Sequence, residues 1–291
     1  MQTRKPAVAG QFYAGNQDQC LAELKECLGQ RAIETPLPDK IVAGIVPHAG
    51  WVFSGDLAGM VFSAIKHANI QVDTFVIFGA SHRYVGGRAV AYGSGYWQTP
   101  IGQTEIDQDL AKKIIATGFA TDDKTIHAQE HSIEVQVPFI QYLFPAAKIV
   151  PIIVPPVNIA SDLGDEVGSI IADETDKKIV CIASTDLTHY GPKYGFYPQG
   201  TGSEAIKWAK DVNDMAFIDL ALKMKADKLL LSAEENASAC GPGAAAAAVA
   251  AAKRLGRTEG KLLAHTHSCE VMEEKYHQSS TESVGYAAIV Y

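Results

Sequence analysis

The chain has 291 residues, with 47% apolar and 20% charged residues and a formal net charge of −8 from 25 basic and 33 acidic side chains. It is long enough to bury roughly three quarters of its unfolded surface, and its scattered lysines and arginines disfavour a nucleic-acid or anionic-membrane partner. The basic start around Arg4 and Lys5 lacks a following apolar core of signal-peptide length, and the alanine-rich run Gly241–Ala252 is too short and too weakly hydrophobic to span a bilayer. A cytoplasmic protein is therefore expected, and the five cysteines, odd in number and without a C-x-x-C pair, are expected to be free thiols.

In chain order, the opening K-P-A-V-A-G-Q-F-Y-A-G is too apolar for a disordered tail and is expected to pack on the body. Leu21, Leu24 and Leu28 have helical spacing. A first strand is read at Ile41 to Val46, followed by His48, a loop and a helix bearing Leu57, Val61, Ala64 and Ile65 on one face. The next strand, Thr74 to Phe78, ends in Gly-Ala-Ser-His (His82). A short hairpin is expected from Arg88 to Trp97 and a helix from Asp107 to Ala116. A further helix with a start or kink at Pro138 carries Ile133, Val137, Ile140 and Phe144.

Strands at Lys148 to Val154 and Lys178 to Ala183 enclose a helix near Leu163 to Ala172. After Asp186 and His189 comes a Gly, Pro and Tyr loop to Gly202, long enough to suggest a lid or rim. Two helices, the alanine-rich helix after Cys240, and strands at Lys261 to Ser268 and Val284 to Val290 complete the pattern; the last two strands are allowed to run antiparallel, and Glu270 to Glu282 reads as polar. With no linker composition and no repeat, the expectation is a single-domain layered α/β fold spanning residues 1–291, with a mostly parallel or mixed central sheet flanked by helices.

Three apolar strands thus deliver polar residues at their carboxyl ends: His48, His82, and the Asp186 plus His189 pair. In open α/β sheets this is the edge at which ligands bind, and imidazoles on separate rigid strands suit a metal or acid/base site. Cys240, placed just before a helix, is expected to favour the thiolate through the helix dipole. Imidazoles with a thiolate point to zinc, iron or copper rather than magnesium or calcium. A rival is His127-Ala-Gln-Glu130-His131, a literal H-x-x-E-H of the inverted zinc peptidases. His265 and His267 alternate on a strand and share a face.

The blocks K-P-A-V-A-G-Q-F-Y, V-P-H-A-G-W-V-F-S-G, G-A-S-H, E-H-S-I-E-V-Q-V-P-F, S-T-D-L-T-H-Y-G and A-C-G-P-G-A, in that order along nearly the whole chain, together resemble the Memo family. The resemblance implies a fold similar to class III extradiol dioxygenases, which use non-haem iron(II). It implies metal ligands His48, His82 and Cys240, an acid/base His189 with Asp186 beside it, and His131, Trp51 and Ser81 in the pocket. Cys240 stands where those dioxygenases have a glutamate, and a thiolate alters the charge and redox behaviour of a metal.

The resemblance further implies a metal-binding protein with one iron or copper ion, zinc being the alternative. The expected ligand is a small molecule or peptide. Members are described as acting in receptor-driven cell motility with phosphopeptide binding in a eukaryote, and as neighbours of radical-SAM and AMMECR-type proteins in microbes. Three readings follow: redox or dioxygenase-like chemistry, a non-catalytic peptide or anion module in the same cleft, and the zinc peptidase.

Overall fold

The computed structural model describes residues 2–69, 71–83 and 86–291. Among these, nine strands form one mixed sheet. At its centre lie four parallel strands in the order Ala43–Val46, Ile179–Ser184, Thr74–Gly79 and Lys148–Ile153. Every residue of three of them, and all but Lys148 of the fourth, is buried, which explains their near-continuous runs of Val, Ile and Phe. Strand Ser283–Val290 joins antiparallel beside Ala43–Val46 and pairs in turn with Lys261–His267, also antiparallel. Beyond Lys148–Ile153 come Ala89–Ala91 (antiparallel) and Ala120–Asp122.

The connections move outward from Ala43–Val46 and back again to Ile179–Ser184, so right-handed crossovers place helices on both faces. Helix Trp51–Ala68 packs with Gln17–Gly29 and Val137–Leu143, whereas Pro242–Arg254 packs with Ile159–Asp173 and Ala226–Asn236. The alanines from 244 to 248 are fully buried, because this helix is clasped between the sheet and Ile159–Asp173. A Cβ added at Gly164 would lie 2.1 Å from the Ala247 carbonyl oxygen, so small residues set the spacing of these two helices.

The fold is the expected mixed α/β arrangement, and the last two strands do run antiparallel. Pro138 sits in the first turn of helix Val137–Leu143, preceded by a tight turn at Glu134–Gln136, as its missing N–H allows. The 88–97 hairpin does not form. Ala89–Ala91 completes the large sheet, while Tyr96–Thr99 pairs with Gly102–Glu105 and Thr3–Arg4 in a separate three-stranded sheet; alternation alone could not tell these partners apart. The polar 270–282 stretch begins with a helix, Ser268–Tyr276, whose single buried residue, Val271, leaves little periodicity to read. Among the described residues no helix is long and apolar enough to cross a membrane, and all five cysteines are free.

Candidate metal centre at the carboxyl edge of the sheet

Three of the four central parallel strands each release a polar residue at the same edge. His48 follows Val46 by two residues, His82 follows Gly79 by three, and Asp186 follows Ser184 by two. The amino end of Pro242–Arg254 arrives on top of them: a Cβ at Gly241 would meet the Ser184 carbonyl oxygen at 2.8 Å and the Ala80 Cβ at 3.1 Å. Only glycine permits that approach, which brings Cys240 to the strand ends. The Cys240 N–H donates to the Asp186 carbonyl (3.2 Å) and the Gly241 N–H to Thr185 Oγ1 (2.9 Å).

Cys240 Sγ stands 3.2 Å from His48 Nε2. On the far side of that ring, Nδ1 lies 3.2 Å from Ser184 Oγ. The serine donates its own proton to the Ser132 carbonyl at 2.6 Å and accepts from the Gln136 side-chain amide at 3.1 Å, so it acts as an acceptor towards His48. The proton therefore resides on Nδ1, and the Nε2 lone pair faces the thiol. Burial lowers the His48 pKa to about 3, and the neighbouring His82 adds to the effect, keeping the ring neutral. The Asp186 carboxylate accepts from the His48 main-chain N–H at 2.7 Å and lies 3.9 Å from Nε2.

His82 is arranged in the same way by a different partner. Its Nδ1 lies 3.0 Å from Glu130 Oε1, and its main-chain N–H is 3.3 Å from Oε2. Burial disfavours the His82 cation, but the Glu130 bond and charge outweigh it and raise the pKa. Burial likewise pushes Glu130 up, and the bonds from His82 and Ser132 reverse this and hold it well below the usual carboxylate range. The carboxylate–imidazole pair orients the ring and leaves Nε2 for a ligand. His131 stacks on His82 with centroids 4.6 Å apart, and both rings stand edge-on to His48 at 5.3 and 5.1 Å. Burial lowers the His131 pKa to about 4.

Two groups of donor atoms, His48 with His82 and His131, and His48 with Asp186 and Cys240, each lie within 4.8 Å of one another, and His48 belongs to both. His189 is nearby. Its Nε2 is buried and has no hydrogen-bond partner among the described residues, Tyr194 covers it with centroids 5.1 Å apart, and burial lowers its pKa. Tyr194 comes from the Gly-rich loop, which therefore forms a rim over His189. Ser81 stands between Ala80 and His82 at the end of its strand. Trp51 opens its helix buried in the core, stacked on Tyr13, with its indole N–H donating to the Val135 carbonyl at 3.1 Å.

Two expectations are corrected. Cys240 precedes the helix by two residues, and burial, reinforced by the Asp186 charge, pushes its thiol well above the ordinary value; the helix end does not make it a free thiolate. The H-x-x-E-H run is not one helical face. Ile126–Gln129 is a tight turn and Glu130 is extended. His127 is fully buried against Tyr92 and Trp97, donating from Nε2 to the Val90 carbonyl at 3.0 Å, while Glu130 and His131 serve the His48 and His82 site.

A third group, Asp214, His265 and His267, was visible in sequence only as two histidines sharing a strand face. Both Nε2 atoms bond one Asp214 oxygen, at 2.9 and 2.7 Å, and the other oxygen accepts from the Thr188 N–H at 3.0 Å. His267 also accepts from the Glu270 main-chain N–H. The carboxylate is fully engaged as an anchor for the loop that carries His189.

The family model of Memo-like proteins matches residues 4–290. The chain belongs to the Memo family. Among its relatives, MEMO1 family proteins of Thermococcus onnurineus and Pyrococcus abyssi are each 38% identical, with 99% of this chain covered and 99% and 98% of theirs. The one from Methanopyrus kandleri is 33% identical over 99% of this chain and 98% of its own. The matched span contains the strand-end histidines, Glu130, His189 and Cys240.

Proposed function

We propose that this Memo-family chain is a mononuclear transition-metal protein whose ion is held by His48, His82 and Cys240 and is iron or copper, with zinc the third option. His189 and Asp186 serve acid/base work on a small organic substrate at the same edge. The observation that supports it most is the pair of imidazoles whose Nδ1 atoms are tied to Ser184 and Glu130 while Nε2 of His48 points at the Cys240 sulfur, 3.2 Å away. The donor set, two imidazole nitrogens and a sulfur, fits a borderline or soft ion.

Bound iron or copper would supply Lewis acidity and a change of redox state. The chain's own residues do the rest. His189 has an unengaged buried Nε2 and a lowered pKa, so near neutral pH it is poised to accept a proton from a bound hydroxyl or acid. Burial raises the Asp186 pKa, and its Oδ1 bond to the His48 N–H holds the ligand loop. Tyr194 shields His189 from bulk water.

Metal analysis after purification under reducing conditions tests the ligand set. Wild type is expected to hold one ion per chain and Cys240→Ala markedly less; the same metal at the same stoichiometry in both would remove Cys240 from the set. Oxygen uptake and turnover on a panel of small phenolic and peptide substrates then separate catalysis from a purely binding cleft, with His189→Ala expected to abolish turnover while retaining metal.

A further inference from the structure

The N-terminal strand Thr3–Arg4 reaches directly into the structure that supports His82. Arg4 is only 5% exposed. Its Nε donates to the His127 carbonyl at 2.9 Å and one terminal nitrogen to the Glu130 carbonyl at 2.8 Å. The other terminal nitrogen pairs with Glu134 at 2.6 Å, and the guanidinium lies 4.2 Å from the Trp97 ring centroid. Glu134 in turn accepts from the Ala7 and Val8 N–H groups at 2.7 and 3.0 Å and from the Tyr13 hydroxyl at 3.0 Å. One cation thus fastens the carbonyls at both ends of the 127–130 turn and the residue four positions further on.

Glu130 lies within this fastened segment, and its carboxylate is what fixes His82 Nδ1. The same N-terminal stretch delivers Phe12, whose ring is 4.8 Å from His131, and Phe12 is itself tied to the start of the helix after His48 by the Trp51 N–H at 2.8 Å. We propose that Arg4 is a positioning residue for the metal centre: by clamping 127–134 it sets Glu130, and through Glu130 it sets the orientation of His82 and the stack of His131 upon it. The inference rests on the proposed use of His82 as a ligand. A planar fork with five donors is what three divergent acceptors demand; a lysine, a single point charge, cannot satisfy them together.

The test compares Arg4→Lys with Ile114→Ala, which removes a buried side chain from helix Gln108–Ala116, away from the site, and lowers the melting temperature without touching it. Two readouts are taken on the full chain: Co(II) affinity with its visible spectrum, and, without metal, the resonance of the His82 Nδ1–H that bonds Glu130. Arg4→Lys is expected to weaken Co(II) about tenfold or more, the scale of lost outer-shell support, and to broaden or lose that resonance. Ile114→Ala is expected to preserve both.

If Arg4→Lys does not fold, the double variant Arg4→Gln with Glu134→Gln leaves no buried charge unpaired and carries the same expectation. Retention of both readouts in the folded variant overturns the proposal. If wild type fails to bind Co(II) yet the resonance responds as described, the clamp stands and the metal reading falls.

Discussion

Cys240 Sγ and His48 Nε2, separated by 192 residues of chain, lie 3.2 Å apart, and because Ser184 accepts from Nδ1, the thiol is the group that donates between them. Burial and Asp186 hold that thiol protonated well beyond its ordinary value, whereas a ligating sulfur must be a thiolate. Metal binding is therefore expected to release the Cys240 proton. Between pH 6.5 and 8.5 the apparent affinity should rise about tenfold per pH unit for each proton released. Competition titrations against a chelator of known pH behaviour, or calorimetry in buffers of different ionisation enthalpy, measure this; an affinity flat across that range would sink thiolate ligation.

Glu130 gives a second prediction. In the zinc-peptidase reading it is a base, and Glu130→Gln leaves the metal bound. Here it is the acceptor that fixes His82 Nδ1 at 3.0 Å, so Glu130→Gln is expected to weaken metal binding roughly 10- to 100-fold. Unchanged affinity in the folded variant would show that His82 needs no such support.

Much of this arrangement could be read from residue order, for identifiable reasons. Fully buried parallel strands are unbroken apolar runs, so their ends, and with them His48, His82 and Asp186, stand out. Cys240 was conspicuous because Gly-Pro-Gly and alanines mark a helix that must lie close to something. What could not be read is what depends on distant pairing. The tautomer of His48 is set by Ser184 and Ser132, and the orientation of His82 by Glu130, which lies inside a motif suggesting a different role. The Cys240 thiol went against expectation because helix-dipole reasoning ignores burial, and burial dominates there. Tyr96–Thr99 left its expected hairpin because Thr3–Arg4 offered a partner 93 residues earlier in register.

At the opposite edge of the sheet, Asp107 ties helix Gln108–Ala116 to the strand start. It accepts from the Leu110 N–H at 3.1 Å, the Thr74 hydroxyl at 2.7 Å and Lys177 at 2.8 Å. Burial alone would raise its pKa, but these donors outweigh burial and lower it. A depressed folded pKa contributes stability that is present above the unfolded value of about 3.9 and is lost as pH falls through the folded value. Asp107→Ala is expected to cost about 1–2 kcal/mol at neutral pH, the range of a lost cap. The penalty should shrink below pH 4, as urea melts at pH 7 and pH 3 would reveal; an equal penalty at both would show that its charge is irrelevant.

The close seating of Pro242–Arg254 on Ile159–Asp173 sets the last expectation. Gly164→Ala improves helix propensity by about 0.8–1 kcal/mol, so a helix judged in isolation would be stabilised. The added carbon would lie 2.1 Å from the Ala247 oxygen and 2.7 Å from its Cα, and neither backbone atom can swing aside as a side-chain tip could. Overpacking against backbone costs about 1–3 kcal/mol, which exceeds the propensity gain over most of that range. The predicted net effect is a loss of up to about 2 kcal/mol by these two magnitudes, read as a lower urea midpoint with an unchanged slope. Because the displaced helix carries Cys240 at its amino end, metal affinity should fall with it; a variant as stable as wild type would mean that the two helices can part without cost.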